Sequence, residues 1–330
     1  MQNNVFNTSR GPAYDQEVDN KENSTIPSTI VIVNCFLNIP LMLISIFGNS
    51  LVLAAVIKTP SLRSPSIILL CGLAASDLVV GLIVQPLFIA KELKPFHFLQ
   101  QLTKILSVTF CGISFATMSA VSLDRFLALR YHMTYNSLNT TSRAKFTLIA
   151  IWLVNSLLFS GVHIWYKPEH FYISYGLVGV YIIISTIAYV CIFRITRRHQ
   201  YEIRAQHQTT EVQNTCIQIT LNVLVLTRTA VNTFVFYACT VFCYLPWIIY
   251  RLSYNDISFK NARRGWVFAV TLVYANSAIN PVLYCWRLRK LRLAVSKLLR
   301  KIQWLIRKGE ISTRWLIKIL RVLNSFRRVF

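Results

Sequence analysis

The sequence predicts an all-α integral membrane protein, a seven-transmembrane helix bundle followed by an amphipathic helix on the cytoplasmic side. Three observations carry this. The 330 residues are 54% hydrophobic and only 14% charged, against roughly 45–50% and about 25% in soluble chains. Seven apolar runs are each long enough to cross a hydrocarbon core of roughly 30 Å as a helix. Most of the segments between them are short.

The runs fall at about 28–57, 65–91, 99–130, 145–165, 171–196, 227–252 and 264–286. Residues 1–27 form a polar N-terminal segment without the charged start, apolar stretch and small-residue cleavage site of a secretory signal. The first run is therefore expected to act as an uncleaved signal anchor. Residues 28–286 are read as the membrane domain and 287–330 as a basic tail. Between the fifth and sixth runs, 197–226 reads as a polar linker rich in Gln, Thr and Arg.

Charge gives the orientation. Thirty-five Lys and Arg oppose 12 Asp and Glu, a formal net charge of +23. In a soluble protein such an excess would suggest nucleic acid, but here the bases lie between and after apolar runs, so no nucleic-acid partner is expected. Lys58, Arg63, Arg125, Arg130, Arg143, Lys145, Arg194, Arg197, Arg198, Arg204, Arg228 and the tail fall on one side of the membrane. The positive-inside tendency makes that side cytoplasmic and places the N-terminus outside, although the bases at 251 to 264 weaken the contrast. Asn7 and Asn23 head Asn-x-Ser/Thr triplets and would be extracellular glycosylation acceptors, whereas Asn139 would face the cytoplasm and stay unmodified.

After the seventh run, WRLRKLRLAVSKLLRKIQWLIRK sets apolar residues at helical spacing with bases between them, and Leu316, Ile319, Leu320, Leu323 and Phe326 continue the pattern. A basic amphipathic helix on anionic inner-leaflet lipid is the simplest account, with a merely cationic tail as the alternative. The eight cysteines lie in apolar runs or, for Cys216, in the linker, and yield no disulfide framework.

Charges inside membrane helices are costly, so each needs a reason. Asp77 lies deep in the second run with no base near it in sequence, and is a functional candidate that would bind a cation or proton.

Six segments then occur in order, one per helix: GNSLV (48–52), LAASD (73–77), LDRF (123–126), Trp152, CYLP (243–246) and NPVLY (280–284). In this order and at these depths the chain resembles the rhodopsin-like (class A) G-protein-coupled receptors over roughly residues 28 to 300. The resemblance implies a plasma-membrane protein that binds an extracellular ligand and activates a heterotrimeric G protein. It also implies roles. Asn49, Asp77 and Asn280 would form a polar network at the membrane midplane, where buried amide and carboxylate groups must satisfy one another or hold water. Asp77, Ser114, Asn276 and Ser277 match positions that in the family supply oxygens to a sodium ion, with a water-filled network as the alternative. Asp124 and Arg125 match the acid–base pair that ends helix three and meets the G protein, a task that suits the permanently charged, planar Arg. Tyr244 occupies the toggle position, Pro246 and Pro281 would kink helices six and seven, and Tyr284 would swing toward Tyr189 on activation. Met133 matches the apolar residue inserted into the G protein.

Departures bear on activity and ligand. Phe126 replaces the usual Tyr, Tyr244 the usual Trp, and Leu226 stands about where many relatives have an acid, so appreciable ligand-independent signalling is expected. Gln100 stands where most relatives carry a bridging cysteine, and Tyr181 where proline is usual. These losses resemble the branch of melanocortin, lysophospholipid, cannabinoid and adenosine-like receptors. Ser107 stands where amine receptors place an Asp, which disfavours a monoamine, and Tyr274 where opsins carry Lys. Cys111, Tyr244, Trp247, Trp266 and Tyr274, with Lys104 and Arg251 toward the mouth, would form an aromatic pocket for a mostly apolar anionic lipid, or alternatively a peptide; Glu92 partly offsets the bases.

A transporter or channel would need several charges along a path or internal repeats, and the sequence offers one deep acid and no repeat. The histidines at 97, 132, 163, 170, 199 and 207 lack ligand spacing, so neither an enzyme nor a metal site beyond sodium is expected. The rival that remains is a receptor-like chain that does not couple.

Overall fold

The computed structural model describes residues 29–94, 96–131, 140–165, 171–206, 214–253 and 263–308. They form α1 (Thr29–Lys58), α2 (Pro65–Leu93), α3 (His97–Arg130), α4 (Thr141–Trp165), α5 (Phe171–Gln206), α6 (Asn214–Ser253), α7 (Arg263–Arg287) and α8 (Arg289–Arg307). All of α1 to α7 contain stretches long and apolar enough to span a membrane. Large side chains such as Phe36, Phe146, Leu157 and Phe242 point outward from the bundle, more than two thirds exposed. In a bilayer these contacts are met by lipid, so backbone pairing and interior packing, rather than an apolar exterior, must hold the helices together.

The segment read as a linker is a correction. Of 197–226, α5 continues to Gln206 and α6 begins at Asn214, leaving only 207–213 outside the described residues. Hydropathy records where the hydrocarbon ends, while the helix ends where its backbone bonds do. Arg, Gln and Glu propagate a helix well in water, so α5 and α6 extend beyond the apolar runs. The start of α4 moves outward in the same way, to Thr141.

α3 packs against α2, α4, α5 and α6, and α7 bridges α1 and α6. Close approach is explicit at Gly48, where an added Cβ would come 2.8 Å from Pro281 of α7. Glycine there lets the GNSLV and NPVLY segments touch.

α2 is interrupted by one π turn, Val80–Val84, in which the Gln85 amide donates to the Val80 carbonyl five residues back. Pro86 follows immediately. A proline ring crowds the carbonyl four residues before it and offers no N–H; the extra residue in the turn gives the ring its room. Pro40, Pro246 and Pro281 lie within α1, α6 and α7.

α8 has the predicted amphipathic character, but its apolar stripe serves the protein. Leu291, Val295, Leu298 and Leu299 are buried in the main core beside α1 and α7. Arg289, Lys290, Lys297, Arg300 and Lys301 are exposed, as are Leu293 and Trp304. The helix therefore docks on the bundle first, with its bases and a few apolar side chains left for a lipid surface. The repeat at 316–326 lies outside the described residues.

Candidate functional site

Three levels of the bundle hold the predicted residues. At the middle level Asp77 is fully buried. Ser277 Oγ donates to Asp77 Oδ1 and Asn280 Nδ2 to Oδ2, each at 2.8 Å. Ser45 Oγ donates to the Asp77 carbonyl at 2.9 Å, and Asn49 Nδ2 to the carbonyls of Ser45 (2.9 Å) and Ser277 (3.1 Å). A carboxylate in lipid is tolerable when both oxygens are bonded, and here the bonds tie α2 to α7 and α1. Ser114 approaches Ser76 at 3.4 Å. Among the described residues the side-chain oxygens of Asn49, Asn276 and Asn280 are buried without a hydrogen-bond partner. Of the residues matched to the sodium ligands, Ser277 bonds Asp77 directly and Asn276 keeps an unsatisfied side-chain oxygen, a donor type that suits a hard cation. The sequence did not mark Ser45 or Ser76, since serines in apolar runs are too common to stand out.

At the Arg125 end, Arg125 Nη2 lies 3.7 Å from Asp124 Oδ2, and Ser66 Oγ donates to the same oxygen at 2.5 Å. Asp124 is buried, so it is held by α2 as much as by its neighbour. No sequence motif pointed to Ser66. Tyr284, fully buried, sets its ring edge-on to Phe236 at 5.2 Å, and its hydroxyl has no hydrogen-bond partner among the described residues. Tyr189 stacks on Tyr237 at 5.3 Å and meets Phe234 at the same distance, with Ser122, Thr233 and Arg125 near its hydroxyl. α6 is tied to its neighbours here: Asn232 Nδ2 donates to the Arg287 carbonyl (3.2 Å) and Tyr237 bonds Thr186 (2.7 Å) and the Ile182 carbonyl (3.2 Å). Phe126 packs against the main core. Met133 lies outside the described residues, as does the side chain of Leu226.

At the opposite end the predicted aromatic pocket divides. Tyr244 is buried with Cys111, Val108, Phe159 and Phe115, its ring 4.6 Å from that of Phe115. Tyr274 belongs to a second group with Val80, Val84, Phe88 and Val267, 5.1 Å from Phe88 and bonded to Ser107 at 3.1 Å. Trp266 packs on this second group and lies 6.0 Å from Trp247. The reason for the division is spacing: Tyr244 lies a full turn deeper on α6 than Trp247 and faces α3. Lys104, placed at the pocket mouth by sequence, is exposed on α3, as a long cationic side chain near a helix end reaches water most cheaply. Glu92 pairs with Lys91 at 3.4 Å. The side chain of Arg251, and Asn7 and Asn23 entirely, lie outside the described residues.

Helix five keeps regular geometry at the position where relatives have proline. Tyr181 OH donates to Asn155 Oδ1 of α4 at 2.9 Å, and its carbonyl accepts from Ser119 Oγ of α3 at 2.8 Å. The seven cysteines whose side chains are described are free thiols.

Residues 48–170 match the 7 transmembrane receptor (rhodopsin family). The chain is similar to alpha-2B adrenergic receptors: 37% identical over 118 residues to that of Dugong dugon, covering 34% of this chain and 30% of that protein. It is 35% identical over 122 residues to that of Erinaceus europaeus, with 36% and 31% covered. To that of Rattus norvegicus it is 32% identical over 145 residues, with 43% and 32% covered. The similarity thus spans about a third of each relative's length. Beyond the matched stretch, α6 and α7 supply Pro246 and the Asn280–Pro281–Tyr284 segment at the same levels of the bundle. With seven helices long and apolar enough to span a membrane, the chain is similar to the rhodopsin family of seven-transmembrane receptors over residues 48–170.

Proposed function

We propose that the chain is a plasma-membrane receptor that takes a ligand in the half of the bundle opposite Arg125 and activates a heterotrimeric G protein at the Arg125 end. That end, with α8, faces the cytoplasm, and the N-terminus with Asn7 and Asn23 is outside. The carrying observation is that α2 supports both polar levels at once. Ser66 holds Asp124 at one end, and Asp77, three turns along the same helix, is bonded to Ser277 and Asn280 of α7. A shift of α7 against α2 at the middle level therefore reaches the Asp124–Arg125 pair through one rigid element. When the pair opens, Arg125 is free to offer its guanidinium fork to a protein partner.

A sodium ion held by Asp77, Ser114, Asn276 and Ser277 would supply the charge that balances the carboxylate. α6 carries no acid opposite Arg125, and among the described residues its ties at this level include Asn232 and Tyr237, both neutral. Neutral bonds are weaker than charge-assisted ones, which supports appreciable signalling without ligand.

The ligand reading is an apolar molecule resting on Tyr244, Trp247, Trp266 and Tyr274, a lipid or a peptide. The matched relatives are named adrenergic receptors, yet Ser107 here is engaged with the Tyr274 hydroxyl and brings no carboxylate to meet an ammonium. Lys104, exposed on α3, and Arg251 remain the bases that would meet an anionic group on the ligand.

The test is recruitment of G-protein subunits to the expressed chain without added ligand. Recruitment above mock-transfected cells, lost with Arg125→Ala at equal surface expression, supports coupling. Recruitment equal to mock, and unchanged across lipid, peptide and amine libraries, would favour a receptor-like chain that does not couple.

A further inference from the structure

A single residue, Leu288, separates the end of α7 from the start of α8. Its N–H donates to the Tyr284 carbonyl at 2.9 Å and closes α7, while its carbonyl accepts from the Arg292 N–H at 2.9 Å and opens α8. Next to it stands the Arg287 carbonyl. The last carbonyls of a helix have no partner in the helix itself and are met by side chains, turns or water. Here a side chain of another helix reaches it: Asn232 Nδ2 of α6 donates to the Arg287 carbonyl at 3.2 Å. Asn38, Asn49 and Asn155 each return a bond to the carbonyl four residues back in their own helix, whereas Asn232 crosses to α7.

The neighbouring contact lies on the same face of α6. One turn along from Asn232, Phe236 is fully buried and meets the ring of Tyr284 at 5.2 Å. α6 and α7 run antiparallel, so Asn232 to Arg287 and Phe236 to Tyr284 are successive rungs of one seam. Tyr284 accepts the Leu288 bond through its carbonyl, so the ring and the joint are held by the same strip of α6. The Arg287 guanidinium is engaged separately, 4.0 Å over the exposed ring of Trp286, and the tie to Asn232 is made by the backbone. Beyond the joint, Leu291, Val295, Leu298 and Leu299 seat α8 in the core beside α1 and α7.

We propose that Asn232 is a positioning residue, a cap that α6 supplies to the end of α7, so that α6 and the α7–α8 joint are held and released together. This rests on the reading of α6 as restrained by neutral ties, and gives one of those ties a second task. Movement of α6 away from α7 breaks the Asn232 bond and withdraws Phe236 from Tyr284 in the same step. The Arg287 carbonyl is then left to water, Tyr284 is free to turn, and α8 loses its fixed angle, with Arg289 and Lys290 exposed beside the joint. An amide suits the position because a helix C-terminus is partly negative: it welcomes a donor and repels an acid.

The test is hydrogen–deuterium exchange of the full-length purified protein, read peptide by peptide, beside G-protein recruitment without ligand. Asn232→Leu keeps the bulk and removes the donor. Exchange over 284–292 is expected to quicken roughly fivefold, the change that corresponds to one lost neutral hydrogen bond, while α1 to α4 keep their rates. Asn232→Asp keeps the shape and turns an oxygen on the carbonyl, so its effect should be larger; it decides the matter should Asn232→Leu not fold. Recruitment is expected to rise several-fold with either change and to fall back when Arg125→Ala is added. Unchanged exchange at 284–292, or quickening spread evenly over the bundle, overturns the proposal, as does unchanged recruitment in a chain whose wild type recruits. If no form recruits, the coupling reading fails and exchange alone decides the cap.

Discussion

The two halves of the bundle solve the same problem, polar groups in a lipid-facing protein, in different ways. In the half toward Arg125, the polar networks centre on charged residues that belong to sequence motifs: Asp77 bonds Ser277 and Asn280 of α7, and Asp124 bonds Ser66 of α2 and pairs with its neighbour Arg125. In the opposite half a cluster of neutral side chains outside any motif, Asn34, Asn38 and Thr271, ties α1 to α7. The Asp77 carboxylate, fixed on both oxygens, makes contacts that can be exchanged as a unit. Neutral side chains exchange partners at lower cost than ionic ones. Under the proposed function, transmission would rest on fixed pairs and recognition on residues whose partners can change.

Substitutions at four positions test this contrast. The largest effect is expected from Arg125→Ala, which removes the guanidinium proposed to meet the G protein; a charge-assisted contact worth about 1.5–3 kcal/mol corresponds to a roughly ten- to hundredfold fall in G-protein recruitment. Next is Asp77→Ala, which strands the Ser277 hydroxyl and the Asn280 amide and should lower the stability of the purified protein by about 1–3 kcal/mol for each stranded donor. Asp77→Asn should keep the fold but abolish any dependence of signalling on sodium concentration; retained dependence would place the ion elsewhere. A smaller change is expected from Ser66→Ala. Loss of about 1 kcal/mol of support for Asp124 should raise ligand-independent signalling several-fold, and an unchanged basal level would show that α2 does not restrain the pair. The smallest is Tyr181→Phe, which removes the bond to Asn155 at a cost of about 0.5–1.5 kcal/mol. It should lower the melting temperature slightly and leave coupling intact, and a loss of coupling would mean that α5 belongs with the transmitting half.

What could be read from the sequence follows the same division. Asp77 announces itself because an acid in an apolar run must have a reason, and Asn280, Pro281 and Tyr284 because they come together as a motif. Ser45, Ser66 and Ser76 do not, since a hydroxyl can bond its own helix and so appears in apolar runs for no functional reason. Asn34 and Asn38 were legible as polar residues in apolar runs but had no motif to order them, and Thr271 of a neighbouring helix, absent from their own segment, is what groups them. How the pocket aromatics group depends on packing for a related reason. Tyr244 and Tyr274 are both inward-facing aromatics, and only the packing of Phe115 and Phe88 shows that they belong to different clusters. The stretch 197–226 was misplaced because apolarity was taken as the mark of a helix, although Arg and Gln continue one into water.

The π turn at Val80–Val84 acts as a reset on α2. One residue added to a helix rotates everything beyond it by about 100°, so the side chains that face inward outside the turn are chosen independently of those inside it. Asp77 keeps its place against α7 whatever happens farther out, while Gln85 and Phe88 owe their inward direction to that single extra residue. Lengthening or shortening the helix by one position at this point would turn a different strip of α2 toward the ligand and leave the carboxylate untouched. A lineage could therefore exchange one recognition surface for another in a single insertion or deletion, with the signalling half unaware of the change.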